Sequence, residues 1–313
     1  MKPEIICIGM GTVDLLAKGV PQVELDGQTH QVESVGMKIG GDATNESITL
    51  HRLGHEVMLA TAVGDDDSGS FYIAKCAEAG ISTEGIIIDQ EYPTATSVVL
   101  VGSDGERSFL AVPQNASSMM RFRLPGKMKL TEDLKAISIA SLFYSHRQSD
   151  ADLKELLIAA KKAGAIVFAD MVMDLKELSL EDLRETLPHI DYLVPSYDEA
   201  VYYTGKNDPR EIAETLHQYG VKNVVIKMGA DGVYAHTENE ECRVGTVAEK
   251  VVDTTGAGDN FMAGFICAII RGMKLKEALQ FGSATSAIAI GELGATGAVK
   301  SFNQVLDYLK THS

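Results

Sequence analysis

The chain has 313 residues, 45% of them apolar, and a formal net charge of −16. That length makes one large α/β domain or two smaller ones with an ample core, and no apolar run, Ile137 to Tyr144 being among the longest, is long enough to cross a bilayer. The acidity opposes nonspecific binding to nucleic acid or anionic membranes. It leaves a nucleotide substrate open, because a metal ion and backbone donors can hold polyphosphate on an acidic protein, and it favours a neutral co-substrate.

Met1-Lys2-Pro3-Glu4 leads into a strand, Ile5 to Gly9, without a signal-peptide pattern, so a soluble, cytoplasmic protein is expected. Thr12 to Lys38 alternates in polarity around a turn at Asp26-Gly27 and reads as a hairpin. Gly40-Gly41-Asp42-Ala43-Thr44-Asn45 then precedes an amphipathic helix in which Ile48, Leu50, His51 and Leu53 run to a Gly54 stop. Val57 to Val63 is strand-like and ends at Gly64-Asp65-Asp66; Pro93 to Ala116 is a second hairpin, turning at Asp104-Gly105. Ala165 to Asp170, Tyr192 to Val194 and Val224 to Met228 are further strands separated by amphipathic segments. The alternation predicts an α/β fold with a mainly parallel sheet covered by helices. Cys7, Cys76, Cys242 and Cys267 are scattered without a CxxC pair, which suits reduced thiols in a core.

Asp253-Thr254-Thr255-Gly256-Ala257-Gly258-Asp259 carries the chemistry, because a helix follows in which Phe261, Phe265, Ala268 and Ile269 recur at helical spacing. Gly256, Ala257 and Gly258 fall in its first turn or just before it, where outward N–H groups and the helix dipole attract an anion. Asp259 beside such a site either caps the helix or takes a proton from a hydroxyl about to attack phosphorus. No GxxxxGK[ST] segment is present, so a nucleotide site here does not use a P-loop. His51 and His55 stand four apart without an HExxH motif, which reads as packing.

In GGDATNESITLHRLG and DTTGAGDNFMAGF, with Gly9 to Asp14, Gly64-Asp65-Asp66 and Gly294-Ala295-Thr296 in matching order, the chain resembles the ribokinase-like (PfkB) family of carbohydrate kinases over nearly its whole length. The resemblance implies one kinase domain over residues 1–313 with a three-layer αβα fold. A discontinuous β-sheet lid, roughly residues 12–38 and 93–116, would cover the sugar. It implies Asp259 as catalytic base, with the N–H groups of Gly256, Ala257 and Gly258 stabilising the transferred phosphoryl group. Asp14, Gly40, Gly41, Asp42 and Asn45 would hold the sugar, and Lys227, Gly229, Gly232 and Ser283 would border ATP. Glu199 would act on Mg²⁺ through water, although Ser196 stands where the family usually has asparagine. Asp253 and Thr255 match a monovalent-cation site, so activation by K⁺ is a further expectation.

The implied activity is ATP-dependent phosphorylation of a primary hydroxyl on a fructose- or ribose-like sugar, the segment Gly105-Glu106-Arg107-Ser108-Phe109 resembling fructokinase-like members. A nucleoside kinase is the alternative, with Phe109 and Phe122 as aromatic candidates, and a noncatalytic sugar- or nucleotide-binding regulator is a third reading. The lid sheet has edges and an apolar face that a second subunit could cover, giving a homodimer.

Overall fold

The computed structural model describes residues 2–21, 29–102, 107–121, 130–145, 147–173 and 178–312. The expected turns at Asp26-Gly27 and Asp104-Gly105, and Gly105, Glu106 and Phe122, lie outside the described residues.

Along the chain run Ile5–Ile8 (β1), Thr12–Val20 (β2), Ser34–Gly40 (β3), Asp42–Arg52 (α1), Val57–Ala60 (β4), Ala62–Gly64 (β5), Asp67–Glu78 (α2) and Ile87–Asp89 (β6). Thr96–Gly102 (β7), Arg107–Ala111 (β8), Ala136–Leu142 (β9), Asp150–Lys162 (α3), Ile166–Met171 (β10), Tyr192–Leu193 (β11), Tyr197–Thr204 (α4) and Pro209–Gln218 (α5) follow. Asn223–Lys227 (β12), Val233–Thr237 (β13), Glu241–Val244 (β14), Ala257–Ile270 (α6), Leu275–Ile290 (α7) and Phe302–His312 (α8) complete the chain.

The main sheet has the order β14-β13-β12-β11-β10-β9-β1-β4, parallel from β12 to β4 with β13 and β14 antiparallel at one edge. Its strands are apolar on both faces because both are covered. Ile5 and Cys7 pack with α1, α2, α6, α7 and α8, whereas Ile6 and Ile8 pack with α3, α4 and α5. These are the three layers of an αβα fold.

The chain leaves β1 for β4 on one side and returns to β9 on the other, so β1 and β9 flank a topological switch point. Ligands of open α/β sheets bind beyond the carboxyl ends of the strands at such a point. Above it stands a second sheet, β3-β2-β7-β8, in which the two expected hairpins join through a parallel β2–β7 pairing.

Two elements differ from the sequence reading. Val57 to Val63 is not one strand: the chain breaks at Thr61, and β5 pairs with β6 in a separate two-stranded sheet. The glycine-rich segment does not simply precede α1. Gly40 ends β3, Gly41 is the N-cap, and Asp42 to Asn45 are already helical. Gly41 holds φ 98°, and a Cβ there would lie 2.3 Å from the Met10 carbonyl oxygen, so the crossing of the two segments requires glycine.

Candidate active site

α1 and α6 point their N-termini into one cleft. Gly256 caps α6 in the left-handed region, φ 74°, with the site of an added Cβ 2.6 Å from Ala295 Cβ. The Ala257 N–H is not free for a ligand: it donates to the Thr254 carbonyl, 3.1 Å away. Among the described residues, the N–H groups of Gly256 and Gly258 have no protein acceptor, so the expected three-donor anion turn presents two of its donors.

Asp259 lies in the first turn of α6 and accepts from Asn45 Nδ2 at 2.7 Å, which joins the two helix mouths directly. Burial raises its pKa above the ordinary carboxylate value; the Asn45 hydrogen bond and the Lys227 ammonium pull it down, and Glu199 pushes it up. Asn45 Oδ1 is buried with no hydrogen-bond partner. An unpaired buried acceptor beside a carboxylate of raised pKa marks the place for a donor that the protein does not itself supply.

Lys227 ends β12 and reaches the same turn. A Cβ on Gly258 would stand 3.2 Å from its Nζ. The ammonium pairs with Asp170 at the end of β10, and Asp170, Glu199 and Asp259 together raise its pKa against the opposing effect of burial. Asp170 itself is raised to about 7, burial outweighing the pull of the lysine. Glu199 is the third residue of α4 and closes a capping box: its Oε2 accepts from Ser196 N at 2.8 Å, while Ser196 Oγ accepts from Glu199 N. The helix-start role is therefore real, and the fixed carboxylate also exerts its charge on Lys227, Asp170 and Asp259.

Asp14 on β2 accepts from Ser97 Oγ at 2.6 Å and faces a cavity of about 180 Å³ between the small sheet and the two helix mouths. Gly40, Gly41, Asn45, Asp253, Thr255 and Gly294 line it from the core side. Asp42, expected to meet the sugar, accepts instead from Met10 N at 2.9 Å, Ala43 N at 2.5 Å and Ser141 Oγ, tying α1 to the ends of β1 and β9. Burial, then the charge of Asp259, push its pKa to about 7. Asp253 accepts from Thr255 N at 2.9 Å and Gly294 N at 2.8 Å, pinning the anion turn to the loop after α7.

Gly229 has φ 57° and open space around it. Gly232 has a packing reason, since a Cβ there would lie 2.1 Å from the Val244 carbonyl oxygen. Ser283 is half-buried on α7 and makes no hydrogen bond among the described residues.

Three contributors escaped the sequence reading. Asp170 holds Lys227. Asn260, buried, donates to the carbonyls of Gly256 and Ala295, both at 2.7 Å, and accepts from Thr49 Oγ1 at 2.8 Å. Ser286, not Ser283, is the α7 hydroxyl that reaches the start of α6, donating to the Ala257 carbonyl at 2.9 Å. An asparagine one turn inside a helix was the available signal for Asn260.

A three-layer αβα core with an anion turn, an ammonium and a carboxylate of raised pKa at its switch point defines a phosphotransferase acting on an alcohol. The pfkB family carbohydrate kinase model matches residues 2–301, and the chain belongs to that family. Among relatives, the ATP-dependent 6-phosphofructokinase of Thermoanaerobacterium thermosaccharolyticum is 27% identical, with 94% of this chain and 90% of that protein covered. Probable fructokinase-7 of Arabidopsis thaliana is also 27% identical, over 98% and 92%. Among solved structures, Arabidopsis thaliana ribokinase complexed with ribose and ATP superposes with a TM-score of 0.82 at 24% identity, over 99% of both chains.

Proposed function

We propose that the protein transfers the γ-phosphoryl group of ATP to a primary hydroxyl of a five- or six-carbon, fructose- or ribose-like carbohydrate, with Asp259 as general base. The observation that carries this reading is the Asn45–Asp259 pair with its buried, unpartnered Asn45 Oδ1. A sugar seated there donates one hydroxyl to Asp259 and a neighbouring hydroxyl to Asn45, while Asp14 accepts from others. As the oxygen–phosphorus bond forms and the bond to the ADP oxygen breaks, the hydroxyl proton passes to Asp259. The N–H groups of Gly256 and Gly258 and the Lys227 ammonium face the charge on the phosphoryl group.

ATP would extend from that turn past Gly229 and Gly232 towards Ser283 on α7. Magnesium bound with ATP would supply neutralisation of the polyphosphate charge. Glu199, fixed at the start of α4 by its capping box, is the candidate for contact with that magnesium through water. Asp253 and Thr255, beside the loop after α7, are the candidates for holding K⁺. Replacing K⁺ by tetramethylammonium lowers the rate if they do and leaves it unchanged if they do not. Residues 12–38 and 93–116 act as a lid within the single kinase domain, and the outer face of that sheet joins a second copy of the chain.

The test is ADP release from MgATP in potassium buffer across ketoses, aldoses, sugar acids and nucleosides, with Asp259→Asn as control. We expect acceptor-dependent turnover that falls by about 10²–10⁴ in the variant. Near-normal turnover by a folded Asp259→Asn protein overturns the base assignment. Nucleoside-only turnover favours the nucleoside reading, and ATP binding without any turnover favours a noncatalytic regulator.

A further inference from the structure

Resting on the kinase reading above, we infer that Glu46 is a positioning residue for the transfer step: a buried neutral acid that locks the rotation of α1 against β9, so that Asn45 meets Asp259. It follows Asn45 directly, stands one turn beyond Asp42 and is 1% exposed.

Polar side chains key α1 into its surroundings on three sides, and Thr44, Asn45, Glu46 and Thr49 among them are buried. Towards β9, Asp42 accepts from Ser141 Oγ, and Glu46 Oε2 accepts from Ser138 Oγ at 2.6 Å. Towards α6, Asn45 donates to Asp259 at 2.7 Å and Thr49 Oγ1 to Asn260 Oδ1 at 2.8 Å. Towards α2, Thr44 shares a hydrogen bond with the Tyr72 hydroxyl. Successive residues of a helix project about 100° apart, so Asn45 and Glu46 meet different neighbours. A turn of α1 about its axis that frees Glu46 from Ser138 also carries Asn45 off Asp259.

The lock is an acid and not a carboxylate. Its one donor is the neutral Ser138 hydroxyl, and among the described residues no ammonium or guanidinium pairs with it. The Lys227 ammonium, which acts on Asp259, is paired with Asp170. Burying an ion against one neutral partner costs more than protonating it. The groups that face Glu46 deepen that cost, since Asp42 on α1, Asp259 on α6 and Asp170 on β10 are carboxyls and Cys7 on β1 is a thiol. Burial foremost holds the Glu46 carboxyl well above the usual range, while the Ser138 bond pulls it the other way. Kept neutral, Glu46 adds no negative charge beside the place where the phosphoryl group arrives.

The experiment compares Glu46→Gln, which keeps an acceptor oxygen for Ser138 without an ionisable proton, with Glu46→Leu, which keeps only the bulk. For the best acceptor of the panel above, kcat/KM at pH 7 should stay within about twofold in Glu46→Gln and fall about tenfold or more in Glu46→Leu, through kcat and the acceptor KM rather than the KM for ATP. Full activity in both variants shows packing alone, and equal loss in both shows that the charge is needed; either result overturns the inference. Thermal melts test the proton without turnover. The unfolded side chain ionises near 4.5 while the folded one keeps its proton, so wild-type stability falls as pH rises above that value. The lead in melting temperature of Glu46→Gln over the wild type should therefore widen from pH 5 to pH 8, and a constant lead sinks the neutral acid. If no acceptor is turned over, the kinase reading fails separately and the NMR signals of the Asn45 side-chain amide decide. Signals kept in Glu46→Gln and moved in Glu46→Leu support the lock, and any other pattern overturns it.

Discussion

At the scale of single residues, the site is governed by carboxylates held against their solution behaviour. In its proposed role Asp259 would act as a base only when ionised, and the Asn45 hydrogen bond lowers a pKa that burial has raised. Replacing Asn45 with alanine should therefore move the acid limb of the kcat/KM profile to higher pH, besides raising the acceptor KM. A pH series on both proteins checks this, and coincident limbs would show that the bond does not tune the base. Asp42 gives a stability prediction of defined sign. Its folded pKa, about 7, lies above the unfolded value of 3.8, so between those values the folded state binds the extra proton and stability falls as pH rises. Asp42→Asn keeps the acceptor oxygen for Met10 and Ala43 and removes that cost. It should stabilise by about 1–3 kcal/mol at pH 8, less than the full shift because the side chain is partly exposed, and by nothing at pH 4. Thermal melts at the two values decide. Asp259, Asn45 and Lys227 were legible because each sits in a local pattern of glycine, helix start or strand end. Asp170 was not: its partner lies 57 residues away, and only the parallel stacking of β10 to β12 brings the two strand ends together.

At the scale of elements, the start of α6 depends on tertiary support. The Gly256 turn is braced by Asp253 to the loop after α7, and Asn260 fixes both sides of that joint while meeting Thr49 of α1. Removing the amide leaves the Ala295 carbonyl and the Thr49 hydroxyl without that partner, while the Gly256 carbonyl keeps the backbone N–H of residue 260, so Asn260→Ala should cost about 2–3 kcal/mol. It should also lower kcat/KM for ATP by a larger factor than it raises the KM for the acceptor. Denaturant titration with steady-state kinetics tests both, and an unchanged stability would mean that water replaces the amide without loss. The helix and its anion turn were readable from hydrophobic period and glycine placement, as was the pairing of two hairpins. The helical state of Asp42 to Asn45 was not, since their residue types suit a turn as well and only the φ of Gly41 settles where the helix begins. The break at Thr61 was equally hidden. Val57 to Val63 is apolar apart from Thr61, a residue equally at home inside a strand, yet the chain leaves the main sheet there to pair with β6.

At the scale of the whole molecule, the small sheet has one face committed and one exposed. The inner face carries Asp14, Lys18 and Lys38; cross-strand register then forces Met37, Leu15, Val98 and Leu110 into one row on the other side. Val35 is 61% exposed and Leu110 62%, and β3 and β8 are open edges of the sheet. Contiguous apolar surface next to unpaired strand edges is unfavourable in a lone subunit and is relieved by an isologous contact between two copies. The same alternation sets the proposed sugar wall and the proposed dimer surface back to back, so a subunit on the outer face would restrain β2 and β3, and with them Asp14. Sedimentation at micromolar concentration should show a two-chain species, and Met37→Glu should dissociate it. The dissociated variant should have a higher acceptor KM and a smaller change in the KM for ATP, because the proposed site sets ATP against the core and the sugar against the small sheet. A wild type that sediments as a single chain removes the dimer. A Met37→Glu monomer with unaltered acceptor KM retains the dimer but severs its link to the site.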